Sequence, residues 1–150
     1  MTTISQSIVI NVLPEKVFDV ITDPYLVLPL LPGLRSISHV KLPLTVGSTH
    51  RWQYQLLGIT FRGSWTVDVL RPPLYYAAST KGEVDSRWVY TLVPKETATY
   101  LTLEITFGPP DSVLKRYALG FIEPHTGKLA EAYLHSLKGF VEESPKKDLA

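Results

Sequence analysis

The 150-residue sequence contains no cysteine, which excludes a disulfide scaffold, thiolate metal ligation and a cysteine nucleophile together. It also lacks an excess of either charge. Fifteen basic residues against fourteen acidic ones leave a formal net charge of +1, and no basic cluster interleaved with aromatics offers nucleic acid a foothold. Charged residues are scarce, 19% against 45% hydrophobic, so the chain reads as globular rather than disordered. Its length fits one domain, residues 1–150, with a core of its own. The opening MTTISQSIVINVLPEK has neither the basic start of a secretory signal nor the Arg-rich pattern of a transit peptide. The cytoplasm is the expected compartment. The polar tail ESPKKDLA is expected to fray from about residue 144.

Catalytic signatures are missing as well. No GxSxG, HExxH, P-loop or dinucleotide fingerprint is present. The four histidines, His39, His50, His125 and His135, do not have metal-ligand spacing. No metal and no cofactor is therefore expected. Asp68 and Glu104 fall on the polar phase of their strands, which leaves no inward carboxylate pair for acid–base work.

What is present includes an uncharged run, PYLVLPLLPGL, Pro24 to Leu34. A membrane span needs about 20 apolar residues, and Pro29 and Pro32 each remove a helical hydrogen bond. The run is expected to form an irregular apolar wall or lid.

Around it, hydrophobic periodicity lays out the chain. Ile4, Ile8, Ile10 and Val12 alternate with polar residues, as in a half-buried strand. Pro14 then opens PEKVFDVITD, a short helix with Val17, Phe18 and Ile21 on one stripe, ending before Asp23-Pro24. From Arg35 to Phe107 strand follows strand. STHRWQYQLL puts His50, Trp52, Tyr54 and Leu56 in one phase. GITFRGSWTVDVL does the same for Ile59, Phe61, Gly63, Trp65, Val67 and Val69, and the two runs meet at Leu57-Gly58 as a hairpin. Gly63 marks either the bend that such a sheet needs or a place where a ligand approaches the backbone, the bend being preferred. LYYAASTKG, SRWVYTLVP and TYLTLEITF continue the series, with a regular alternation typical of antiparallel sheets. The segment GKLAEAYLHSLKGFVEES reads as a long amphipathic helix, with Leu129, Tyr133, Leu137 and Phe140 facing the sheet.

This order of elements resembles the helix-grip fold of the START-like (SRPBCC) superfamily, in its polyketide cyclase and coenzyme-Q-binding branches. The resemblance rests on VINVLPEKVFDVITDPYLVLPLLPGL, RGSWTVDVLRPP, SRWVYTLVPKETATYLTLEITF and the closing helix. It implies an α+β fold: a curved antiparallel sheet of about six or seven strands wrapped around the long C-terminal helix, with two short helices after the first strand. It also implies a deep apolar cavity, expected at several hundred cubic ångströms.

In that frame Leu28 and Leu31 of the apolar run face the cavity mouth, and Tyr117 and Phe121 of SVLKRYALGFI form a second flap. Trp52, Tyr54, Phe61, Trp65, Trp88, Tyr90 and Phe107 make an aromatic-rich interior, with Tyr133 facing them from the helix. Buried indole N–H and phenol O–H groups seek partners, so these side chains suit a ligand pocket as well as a core. His50, in the inner phase near its strand's start, is the one weak catalytic candidate, with an ordinary rim position as the alternative. The expected function is binding of a lipophilic small molecule: a quinone, isoprenoid, polyketide or lipid. The alternatives are a polyketide cyclase/dehydratase-type enzyme, and a module whose apolar flaps dock transiently on a protein or membrane surface. Fold alone does not separate them.

Overall fold

Seven runs of alternating residues pair into one antiparallel sheet in a computed structural model that describes residues 2–56, 58–107 and 127–143. The strands are β1 (Thr2–Ile10), β2 (Leu34–Ser38), β3 (Thr49–Leu56), β4 (Ile59–Arg71), β5 (Tyr75–Gly82), β6 (Ser86–Lys95) and β7 (Ala98–Phe107). They lie in the order β1-β7-β6-β5-β4-β3-β2, so β2 to β7 form a meander and β1 returns beside its last strand.

Helix α1 (Pro14–Ile21) starts with proline where no intrahelical N–H bond is needed. Its Val17, Phe18, Val20 and Ile21 are buried, while Glu15 and Asp19 face water. Helix α2 (Pro24–Val27) is one turn long. The Asp23 carboxylate caps it by accepting from the Tyr25 amide at 3.0 Å. The apolar run thus opens helically before Pro29 and Pro32 release it into turns that lead to β2.

The third helix, α3, covers residues 127–143 and lies along the open edge of β1. The Lys138 ammonium donates to the Val9 carbonyl at 2.8 Å, and the Asn11 amide donates to the Glu142 carboxylate at 2.9 Å. Ala130, Tyr133, Leu134, Leu137 and Val141 are buried. Phe140, expected to face the sheet, is 37% exposed. Two stripes overlap at Tyr133 and Leu137, and four-residue steps carry the buried one on to Val141 instead.

A second correction concerns β4. Its register against β5 shifts between Val67 and Val69, leaving Asp68 as an extra residue. Beyond this bulge the phase inverts, so Leu70 rather than Val69 packs on the core. On the outer face the Ser79 hydroxyl donates to the Asp68 carboxylate, with Arg87 Nε 3.9 Å away. Glu104 is exposed.

Gly63 is a point of close packing. It stands opposite Trp52 across the β3–β4 pair, and a Cβ built there falls 2.5 Å from the Trp52 ring and 2.4 Å from the Lys81 carbonyl oxygen. The position is glycine because an indole and a neighbouring strand occupy the space of a side chain.

Candidate functional site: an apolar cavity on the inner face

Between the inner face of the sheet, α2 and α3 lies a cavity of about 150 Å³. This is smaller than the several hundred expected, because three indoles and three tyrosines project into the same space. Its walls come from six strands, β2 to β7, with Ile37 from β2. Trp52 and Tyr54 project from β3, Phe61 and Trp65 from β4, Tyr76 from β5, Trp88 and Tyr90 from β6, and Phe107 from β7. Pro24, Val27, Leu31 and Leu34 close one side, Leu129 and Ala130 the other.

The structure brings together seven of the aromatic residues singled out in the sequence. Tyr133 is adjacent rather than lining: it is fully buried, its ring is edge-on to Tyr90, and the two hydroxyls lie 2.8 Å apart. Leu31 borders the cavity and Leu28 does not; Val27 lines it instead. Leu28 stands four residues from Pro24 and three from Leu31, so helical spacing alone does not separate it from the residues that line the cavity. Tyr117 and Phe121, and with them the second flap, lie outside the described residues.

Sequence reasoning missed Tyr76, Thr80, Val84 and Ser86, all lining the cavity. The signal for three of them was present: Tyr76 and Thr80 alternate in one phase of β5, and Ser86 shares the phase of Trp88. Tyr76 stacks on Tyr90 at 5.5 Å and 10°, and its hydroxyl accepts the Trp65 indole N–H at 2.8 Å. Burial raises its pKa to about 12, so it stays a neutral phenol.

The polar groups fall in one line. His50, Trp65, Thr80 and Ser86 are successive cross-strand partners from β3 to β6, which puts two hydroxyls and an imidazole at one level of the cavity. His50 is 7% exposed, its ring stacked against Trp65 at 6.3 Å. It is a wall residue rather than a rim residue. Among the described residues, no acidic or other basic side chain lines the cavity, and burial lowers the pKa of His50, keeping its imidazole neutral at pH 7. Trp52 Nε1 is enclosed and has no hydrogen-bond partner among the described residues.

A pH effect follows from the depressed His50 pKa. The unfolded chain takes up this proton near pH 6.5 while the folded chain resists it, so stability is full above that value and falls as pH drops towards the folded pKa. His50→Gln removes the difference. Urea midpoints at pH 7.5 and pH 5.0 are expected to differ less for the variant than for the parent; equal differences would contradict the buried imidazole.

Among the described residues, no cluster of three or more His, Asp or Glu is placed to hold a metal ion, and no helix is long and apolar enough to cross a membrane.

The same fold occurs in solved structures of low identity. The ZhuI aromatase/cyclase of Streptomyces sp. R1128 matches with a TM-score of 0.80 at 14% identity, covering 95% of this chain and 94% of that one. TTHA0849 of Thermus thermophilus gives 0.78 at 16%, covering 93% and 97%. Ara h 8.0201 gives 0.63 at 17%, covering 93% and 97%. A search of curated proteins found no match to the sequence. The family model for polyketide cyclase/dehydrase and lipid transport matches residues 1–142, and since the seven-stranded sheet and its closing helix have the helix-grip architecture, the chain belongs to that family.

Proposed function

We propose that the chain binds and carries a lipophilic small molecule, of the size and polarity of a quinone, isoprenoid, polyketide or lipid fragment, in the cavity between the sheet and α3. One observation carries this reading: among the described residues, the polar side chains on an otherwise apolar and aromatic wall are neutral and gathered at a single level. Such a wall supplies affinity through area, and removing about 200 Å² of apolar ligand surface from water contributes about 5 kcal/mol. The hydroxyls and the imidazole then fix orientation. Trp52, Tyr54, Phe61, Trp65, Trp88, Tyr90 and Leu31 are the contact residues in this reading.

A second reading, a cyclase- or dehydratase-type enzyme, is favoured by His50. A neutral, enclosed imidazole on the cavity wall suits proton abstraction from an enclosed substrate, and the ZhuI structure is that of an aromatase/cyclase.

Native mass spectrometry of the protein, purified without denaturation or detergent, tests the carrier reading. The expected result is a mass above that of the chain which disappears on denaturation and yields a lipophilic compound on extraction. A chain that carries nothing and also fails to bind added naphthalene would refute it.

A further inference from the structure

The hydrogen atoms along the Thr80–Ser86 line are all accounted for, and that restricts what can bind there. The Trp88 indole N–H can only donate, and it reaches Ser86 Oγ at 3.1 Å. The Val84 carbonyl can only accept, and Thr80 Oγ1 reaches it at 3.2 Å. Between them, Thr80 Oγ1 and Ser86 Oγ are 2.5 Å apart. A hydroxyl carries one hydrogen. If Thr80 gives its hydrogen to Val84, Ser86 must give its own to Thr80, and the chain Trp88 → Ser86 → Thr80 → Val84 satisfies every donor. The reverse direction between the hydroxyls leaves the Val84 carbonyl without the Thr80 hydrogen. In the satisfied direction neither hydroxyl has a hydrogen left for a ligand, while each oxygen keeps a lone pair. This end of the cavity accepts and does not donate.

The other end differs. Trp52 and His50, two residues apart on β3, line it. The Trp52 indole N–H is enclosed and without a partner among the described residues, and the neutral imidazole can both donate and accept. Trp65 lies between the two ends as an aromatic floor. Among the described residues, His50 is the one basic side chain lining the space, and burial disfavours its charged form. An anion there would lack a standing countercharge, and an unpaired buried charge is strongly disfavoured.

We propose that the cavity selects an uncharged hydroxylated aromatic compound, whose O–H donates to the Thr80–Ser86 oxygen pair while its ring lies on Trp65. This rests on the reading of the cavity as a ligand site and names the ligand's chemical class. A cavity of about 150 Å³ encloses a single ring, and a second fused ring extends towards the half-buried Leu34, Ile37 and Tyr54.

Isothermal titration calorimetry with naphthalene, 2-naphthol, 2-methoxynaphthalene and 2-naphthoate tests the proposal on the unmodified protein. The methyl ether keeps the ring and the oxygen but has no hydrogen to donate. The expected order is 2-naphthol tightest, by about tenfold over the ether, the worth of a well-made hydrogen bond in a dry site; naphthoate is weakest. In Ser86→Ala and Thr80→Val the preference for naphthol over the ether, measured within each variant, should shrink to about twofold. If naphthol and its ether bind equally well to the parent protein, or naphthoate binds best, the hydroxyl inference is overturned while the cavity reading stands. If none of the four binds, the cavity reading itself has failed. The comparison between ligands on the parent protein decides the matter even where a variant does not fold.

Discussion

Gly63→Ala is expected to destabilise the protein by about 3 kcal/mol, the upper range for forcing extra atoms into a filled interior. The methyl group would sit 2.4 Å from the Lys81 carbonyl oxygen and 2.5 Å from the Trp52 ring. The ring can shift, but the carbonyl belongs to a paired strand and cannot move without breaking the β4–β5 ladder. Because Trp52 is also a cavity wall, naphthalene binding should weaken in whatever fraction remains folded. Gly139→Ala is the matched control. It lies on the exposed side of α3 with nothing within 4 Å of the new methyl group, and a glycine in a helix costs about 1 kcal/mol relative to alanine. The same chemical change should therefore stabilise there. Urea unfolding of both variants checks this pair of opposite signs; a Gly63→Ala midpoint close to that of the parent would contradict the packing described.

Leu129→Trp should separate a working cavity from a merely structural void. Leu129 reaches the cavity from the first turn of α3 and is only half-buried, so a larger side chain has room to enter without displacing a strand. Filling the space is expected to lower naphthalene affinity by at least 100-fold, about 2.7 kcal/mol. The melting temperature should move by no more than about 4 °C, the shift that about 1 kcal/mol produces in a domain of this size. Leu31→Trp repeats the experiment from the opposite wall. Unchanged affinity in both folded variants would mean that naphthalene binds elsewhere.

These effects depend on features of unequal legibility in the sequence. The strand phases could be read because alternation survives wherever one sheet face is wet: His50, Trp52 and Tyr54 share a phase, and so do Trp88, Tyr90 and Leu92. The helix-grip order could be read for the same reason, since each element announces its own period. The bulge at Asp68 could not. One extra residue in a strand changes no composition, yet it moves Val69 outward and Leu70 inward. Choosing Phe140 over Val141 failed because both are apolar and both continue a stripe through Leu137; the sheet decides between them. Leu28 and Val27 posed the same difficulty, since a run of leucines carries no periodicity. The acceptor character of Thr80 and Ser86 was invisible for a different reason. It arises from a turn that brings the Val84 carbonyl back to Thr80, and from an indole two residues beyond Ser86, and no local pattern encodes that return.

One cavity gathers the protein's three tryptophans around a ligand, and this can be tested directly. All three, Trp52, Trp65 and Trp88, line it. A two-dimensional ¹H–¹⁵N NMR spectrum isolates their three indole N–H signals, and titration with 2-naphthol follows each separately. The expected result is that all three shift along one saturation curve. Indole signals that stay fixed while 2-naphthol saturates the protein would place the binding site elsewhere and contradict the account.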